Sequence, residues 1–206
     1  MKRIDLNALQ PIPHFIGGWS MEPLSICDEL IEFFENRQED HTRGKMAGGL
    51  NPEAKDSTDL TIRPRELILP DHEPLNRYMD LLFQCYCDYL EQWPFLKSVM
   101  GRVEVSSFNI QRYLPGGHFR KLHSERTTVR TSNRVLAWMT YLNDVTEGGS
   151  THFAHQKIDV QPARGKTLIW PAEWTHAHQG NVVQSGTKYI ITGWMHFPSV
   201  PVGAKA

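Results

Sequence analysis

In PLSICDELIEFFENRQ the apolar residues Leu24, Cys27, Leu30, Ile31 and Phe34 recur at helical spacing with charged residues between them. That pattern predicts a helix over about residues 22–38 with one face on a core. HTRGKMAGGLNPEAKDSTD, residues 41–59, is rich in glycine and charge, lacks any period, and reads as a long loop of the length that often forms a lid. A second helical pattern follows over about residues 74–92. Its broad apolar face carries Leu75, Tyr78, Leu82, Phe83, Tyr86 and Leu90, and Pro94 closes it. Beyond Gly101 the texture changes to short β-branched and aromatic runs, VEVSSFNIQRYL, RVLAWMTYL, KIDVQP, KTLIW and KYIITGWMHF, punctuated by PGG, EGG and SG. Many short strands without alternating helices predict a mainly β sandwich or jelly roll, with the two helices buttressing one sheet. PSVPVGAKA reads as a loose tail.

At 206 residues, 40% hydrophobic and 22% charged, the chain can bury a core, which excludes a disordered or fibrous protein. We take residues 1–206 as one domain, with a helical N-terminal part over 1–100 and a β core over 101–197. Lysine plus arginine number 22 against 23 acidic residues, so no global field draws the protein onto nucleic acid or a membrane. Cys27, Cys85 and Cys87 cannot all pair and lack zinc-ribbon spacing, so buried thiols in a reducing, cytoplasmic setting are expected. The N-terminus has no apolar signal-peptide core.

Histidine is the unusual component. Of ten, seven lie between His118 and His196. In GGHFRKLHSERT, His123 and Glu125 are two apart, so on a strand both project from one face. A third ligand is available from HAHQG, where His176 and His178 precede the last strand. Two histidines and one carboxylate occupy one face of an octahedron around non-haem Fe(II) and leave three positions for substrates and O2. Ten residues after His178, Lys188 opens the final strand, and an inward-pointing ammonium needs an anionic partner. Charge counting agrees. Fe(II) with one carboxylate and two neutral imidazoles keeps one positive charge, a 2-oxoglutarate dianion turns it into one negative charge, and Lys188 restores neutrality.

RYLPGGHFRKLHSE, TYLNDVTEGGSTHF and the stretch from HQGNVVQSGTK to GWMHF together resemble the 2-oxoglutarate and Fe(II)-dependent dioxygenases, in their prolyl 4-hydroxylase-like branch. The resemblance covers roughly residues 105–197 and implies a double-stranded β-helix, or jelly-roll, core. It implies that His123, Glu125 and His178 bind iron, that Lys188 holds the distal carboxylate of 2-oxoglutarate, and that Tyr113 and Tyr141 line the cosubstrate pocket. It further implies O2 as cosubstrate, ascorbate as reductant, and a hydroxylated peptidyl or amino-acid substrate. His178 is preferred to His176 because it alone has the family's spacing to Lys188; His176 is left as a supporting hydrogen-bond partner or a surface residue. Glu125 stands where the family usually has aspartate, so its extra methylene must be accommodated.

Gly148 and Gly149 are read as a turn that lets the next strand approach the core. Trp194 and His196 share strand parity with Lys188, so pocket lining and core packing both fit. Arg126 and Arg130 are read as a solvated loop. His118, His152, His155 and His196 carry no metal role. The rival from another class is a non-catalytic or zinc-binding jelly roll of cupin type, for which a buried Lys188 has no use. Peptide or small-molecule substrates are the expected partners, with no nucleic acid or membrane, and the oligomeric state stays open.

Overall fold

A computed structural model of the chain describes residues 13–46, 48–100 and 102–198. The predicted tail from 199 onwards lies outside these residues. The first helix, α1 (Ser25–Glu35), is shorter at both ends than the predicted 22–38 and is followed by a 3-10 turn at Gln38–Asp40. The second, α2 (Glu73–Gln92), matches its predicted span and is followed past Pro94 by a short helix, α3 (Phe95–Val99). The buried stripe of α2 is Leu75, Tyr78, Leu82, Cys85, Tyr86 and Tyr89. Phe83, placed on that face by spacing, is instead 61% exposed, one residue past the stripe's edge. Cys87 is likewise exposed on the far side of α2, whereas Cys27 and Cys85 are buried. No helix among the described residues is long and apolar enough to cross a membrane.

Twelve strands follow in chain order. Three belong to the first hundred residues: β1 (Gly17–Ser20), β2 (Thr42–Arg43) and β3 (Thr58–Ile62). The others are β4 (Glu104–Val105), β5 (Phe108–Tyr113), β6 (Phe119–His123), β7 (Arg134–Tyr141), β8 (Thr151–Phe153) and β9 (Ile158–Val160). The set closes with β10 (Lys166–Pro171), β11 (His178–Gly180) and β12 (Lys188–His196). An eight-stranded sheet runs β1-β10-β7-β12-β5-β3-β2 with β4 paired to β12, and a four-stranded sheet runs β6-β11-β8-β9. Every pairing is antiparallel. The reading of residues 1–100 as helical is therefore corrected: β1, β2 and β3 belong to the large sheet. Both ends of the 41–59 segment are strands too, because Thr42–Arg43 and Thr58–Ile62 pair with each other and β3 pairs with β5.

Side-chain alternation sorts the large sheet into two faces. Leu136 and Trp138 of β7, Ile191 of β12 and Ile110 of β5 face outward and pack with Leu30 and Phe34 of α1 and Leu75 and Tyr78 of α2. Each such side chain contributes about 1.5–3 kcal/mol of burial. Ala137, Met139 and Tyr141 of β7, Ile190 of β12 and Trp170 of β10 face inward, toward Phe153 of the small sheet. Helices thus seal one face of the large sheet, and the space between the two sheets is left for a site.

Candidate active site

His123 and His178 are direct cross-strand partners on β6 and β11, which sets their rings side by side with centroids 4.5 Å apart. In each ring Nδ1 meets a backbone carbonyl, Lys121 at 2.8 Å and His176 at 2.9 Å. A carbonyl only accepts, so both Nδ1 atoms carry a hydrogen, and both Nε2 atoms are turned toward Glu125 and the cavity. Phe119 stacks on His123 at 4.0 Å, and Trp170 abuts His178 edge-on at 5.1 Å, fixing both rings.

Glu125 lies beyond the end of β6, not on the strand as its spacing suggested. The bend after His123 still brings Oε1 to 3.7 Å from His123 Nε2 and 3.3 Å from His178 Nε2. One ligand atom from each of the three residues lies within 4.8 Å of the others, close enough for a single ion to meet all three. The second oxygen, Oε2, accepts a hydrogen bond from Trp194 Nε1 at 2.7 Å. Arg134 stacks on the Trp194 ring at 3.6 Å and donates to the Glu125 carbonyl at 3.0 Å. Burial raises the Glu125 carboxyl, but hydrogen bonds and positive charge from the two histidines outweigh it and hold the group well below the ordinary carboxylate range. The carboxylate is thus ionised with one oxygen pinned and the other aimed at the histidines. Nitrogen and oxygen donors of this kind suit Fe(II), so the residues present fit that metal.

The trio and Lys188 line one cavity of about 960 Å³. Lys188 is 3% exposed; its Nζ donates to the Gly149 carbonyl at 2.9 Å and sits 4.5 Å from the centre of the Tyr113 ring. An ammonium has three donors, and no carboxylate pairs with Lys188 among the described residues. Burial lowers its pKa to about 8. A buried cation with spare donors facing a cavity fits the far carboxylate of 2-oxoglutarate. The two glycines read as a turn prove specific to this contact. Gly149 has φ +68, and a Cβ there would come within 3.3 Å of Lys188 Cδ; at Gly148, φ +77, a Cβ would meet the Val182 carbonyl at 2.1 Å.

Tyr113 lines the cavity as expected, its hydroxyl donating to Gln111 Oε1 at 2.7 Å. Tyr141 does not. It is fully buried, and its hydroxyl meets Thr151 Oγ1 at 2.6 Å and the Val160 carbonyl at 3.1 Å. Its inward face parity is right, but its hydroxyl is taken up by Thr151, and of the two it is Thr151 that lines the cavity. His176 is buried rather than superficial, bonded through Nε2 to the His14 carbonyl at 2.9 Å; its backbone oxygen, not its ring, supports His178. Arg126 pairs with Glu173, and His196 meets Ser106 Oγ at 2.8 Å.

Two supports escaped the sequence reading. One is Arg134, whose place under Trp194 depends on long-range packing. The other is a buried network in the 41–59 segment. Lys55 pairs with Asp59 at 2.6 Å, and Asp59 also accepts from Ser57 at 2.7 Å and Gln111 at 3.2 Å. Gln111 in turn holds Tyr113, so this network underpins the cavity wall.

A family model described as the 2OG-Fe(II) oxygenase superfamily matches residues 108–196. The human prolyl 4-hydroxylase subunit alpha-1 is 29% identical over 73 residues, which are 32% of this chain and 14% of that protein. A probable prolyl 4-hydroxylase 9 of Arabidopsis thaliana is 25% identical over 134 residues, 52% of this chain and 46% of that protein. The chain thus spans less than half the length of these curated relatives. Among solved structures, a Pseudomonas putida prolyl-4-hydroxylase superposes with a TM-score of 0.68 at 17% identity, covering 90% of this chain and 94% of that one. A Trichoplax adhaerens prolyl hydroxylase, in complex with a hypoxia inducible factor peptide fragment, gives 0.69 at 13% identity, covering 89% and 84%. Residues 108–196 match the 2OG-Fe(II) oxygenase superfamily, and the fold that carries them is similar to that of the solved prolyl hydroxylases.

Proposed function

We propose that this chain is a 2-oxoglutarate-dependent Fe(II) dioxygenase that hydroxylates a peptidyl or amino-acid substrate, with peptidyl proline the leading candidate. The observation that carries this reading is the meeting in one cavity of three convergent ligand atoms and a buried ammonium with unspent donors. Structural likeness to a prolyl hydroxylase solved with a bound peptide fragment supports a peptide substrate.

His123, Glu125 and His178 would hold the metal. When bound there, Fe(II) supplies the oxygen chemistry that couples decarboxylation of 2-oxoglutarate, to succinate and CO2, with hydroxylation of the substrate. The chain's own residues do the positioning. The Lys121 and His176 carbonyls hold the rings in one tautomer, and Trp194 keeps Glu125 Oε2 engaged so that Oε1 faces the histidines. Lys188 and Tyr113 orient the cosubstrate from its far end, while Met139, Ile190 and Trp170 give the cavity an apolar wall that excludes water.

Anaerobic addition of Fe(II) and then 2-oxoglutarate tests the proposal. A weak visible charge-transfer band is expected only when both are present, followed by succinate release on admitting O2. Metal binding with neither band nor succinate would overturn it in favour of a non-catalytic metal-binding jelly roll.

A further inference from the structure

The cavity is far more cationic than the chain. Overall the protein carries a formal charge of -1, yet six lysine and arginine side chains line this cavity against two acids, Asp59 and Glu125. Both acids are already committed, Asp59 to Lys55 at 2.6 Å and Glu125 to the histidines and Trp194. Arg134 is engaged with Trp194 and the Glu125 backbone, and Lys188 is reserved for the cosubstrate. Fe(II) and a 2-oxoglutarate dianion cancel each other's charge, so loading the site leaves the positive excess in place.

The unspent charge sits at the mouth. Lys121 shares strand parity on β6 with Phe119 and His123, two residues before the presumed metal ligand. Arg43 on the edge strand β2 and Lys45 just after it line the same cavity. No acidic partner faces Lys45 or Lys121 among the described residues, and Arg43 has only a 3.5 Å contact with exposed Asp56. Between these cations the wall is neutral and polar, with Thr61, Ser106, Asn109 and Thr127. A cleft lined by one sign of charge focuses the field on what enters it.

From this distribution we infer that the substrate is an acidic peptide segment, with carboxylates flanking the reacting residue and held by Lys121, Arg43 and Lys45. The inference rests on the dioxygenase reading and deepens it by naming the substrate class. The cavity is at the upper end of the usual small-ligand range. It leaves room beside the cosubstrate for a side chain whose flanking residues lie in the mouth.

The test is fluorescence anisotropy with three labelled proline-containing peptides of equal length, bearing aspartate and glutamate, serine, or lysine around the proline. The protein is loaded with Mn(II) and 2-oxoglutarate. The acidic peptide is expected to bind at least about tenfold tighter than the serine peptide, and the lysine peptide more weakly still. The advantage should shrink as salt is added. The double variant Lys45→Glu, Lys121→Glu should reverse the order. Equal affinities, or an order unchanged in the double variant, would overturn the inference. Displacement of the acidic peptide by an equal concentration of free glutamate would overturn its peptide part and assign the mouth to a small acid. A parallel titration of Mn(II) and 2-oxoglutarate separates the two levels. Normal cofactor binding without peptide preference sinks the substrate class alone, whereas absent cofactor binding sinks the dioxygenase reading with it.

Discussion

The indole nitrogen of Trp194 lies 2.7 Å from Oε2 of Glu125, so the longer acid that replaces the family's usual aspartate is held by a donor from the last strand. The extra methylene lets the carboxylate span from Trp194 to the two histidines, using one oxygen for each. Removing the donor in Trp194→Phe frees Oε2 and loosens Oε1. The variant should lose about 10–100-fold in Mn(II) or Co(II) affinity, read by titration of the protein without substrate. The absorption spectrum of the Co(II) form should change as well. Unaltered affinity and spectrum would mean that the ligand is positioned by the His123–Glu125 bend alone.

Lys188 gives the site a pH dependence of definite sign. Its native pKa of about 8 lies below the ordinary lysine value of 10.5. Only the ammonium can hold the far carboxylate, so 2-oxoglutarate affinity should be flat below about pH 8 and fall above it, by up to about tenfold per pH unit. Between pH 8 and 10.5 the Lys188 site binds more protons in the unfolded chain than in the folded one, so its own contribution to the stability of the ligand-free protein rises with pH through that window, opposed from about pH 9 by the buried thiols of Cys27 and Cys85, whose burial raises their pKa. Lys188→Met removes a buried, acid-free charge. It should abolish detectable 2-oxoglutarate binding by calorimetry while raising Tm at neutral pH by at least about 2 °C, roughly 1 kcal/mol for a chain of this size. A variant that loses both binding and stability would show the ammonium to be structural.

Tyr141 should behave as a core residue. Its hydroxyl is taken up by Thr151, which itself lines the cavity, and by the Val160 carbonyl. Tyr141→Phe is therefore expected to cost about 1–2 kcal/mol in urea unfolding and to leave the KM for 2-oxoglutarate unchanged. A rise in that KM without loss of stability would return Tyr141 to the cosubstrate pocket.

The two errors of sequence reading over Tyr141 and β1–β3 have a common cause. Period-two alternation put Lys188 and Trp194 on one face of β12, because β12 is nine residues long and its parity is read over its whole length. Parity gives the face but not the depth, so Tyr141 faced inward yet fell short of the cavity. β1 and β2 are four and two residues long, too short for any alternation to show, and they exist because β10 and β3 offer them partners. Glu125 was identified for the wrong local reason. It reaches the histidines through a bend after β6, and its chemistry rather than its strand position made it legible. Arg134 and the Lys55–Asp59 pair left no local trace, since each is defined by residues distant in sequence or by burial alone.

That buried pair also bears on the segment whose glycine and charge suggested a lid. Lys55 and Asp59 are 4% and 6% exposed and 2.6 Å apart, and the backbone between them is tied to His118 through Asp56 at 2.8 and 3.1 Å. Residues 55–59 are thus cavity wall, joined through Gln111 to Tyr113. Lys55→Met strands the Asp59 carboxylate in a site with Ser57 and Gln111 as its remaining partners. A loss of about 3 kcal/mol in urea unfolding is expected, with a raised KM for 2-oxoglutarate as Tyr113 loses its support. Adding Asp59→Asn to that variant removes the stranded charge and should recover most of the stability. If residues 55–59 instead opened as a lid, Lys55→Met would speed proteolysis there without lowering global stability, and the second substitution would recover nothing.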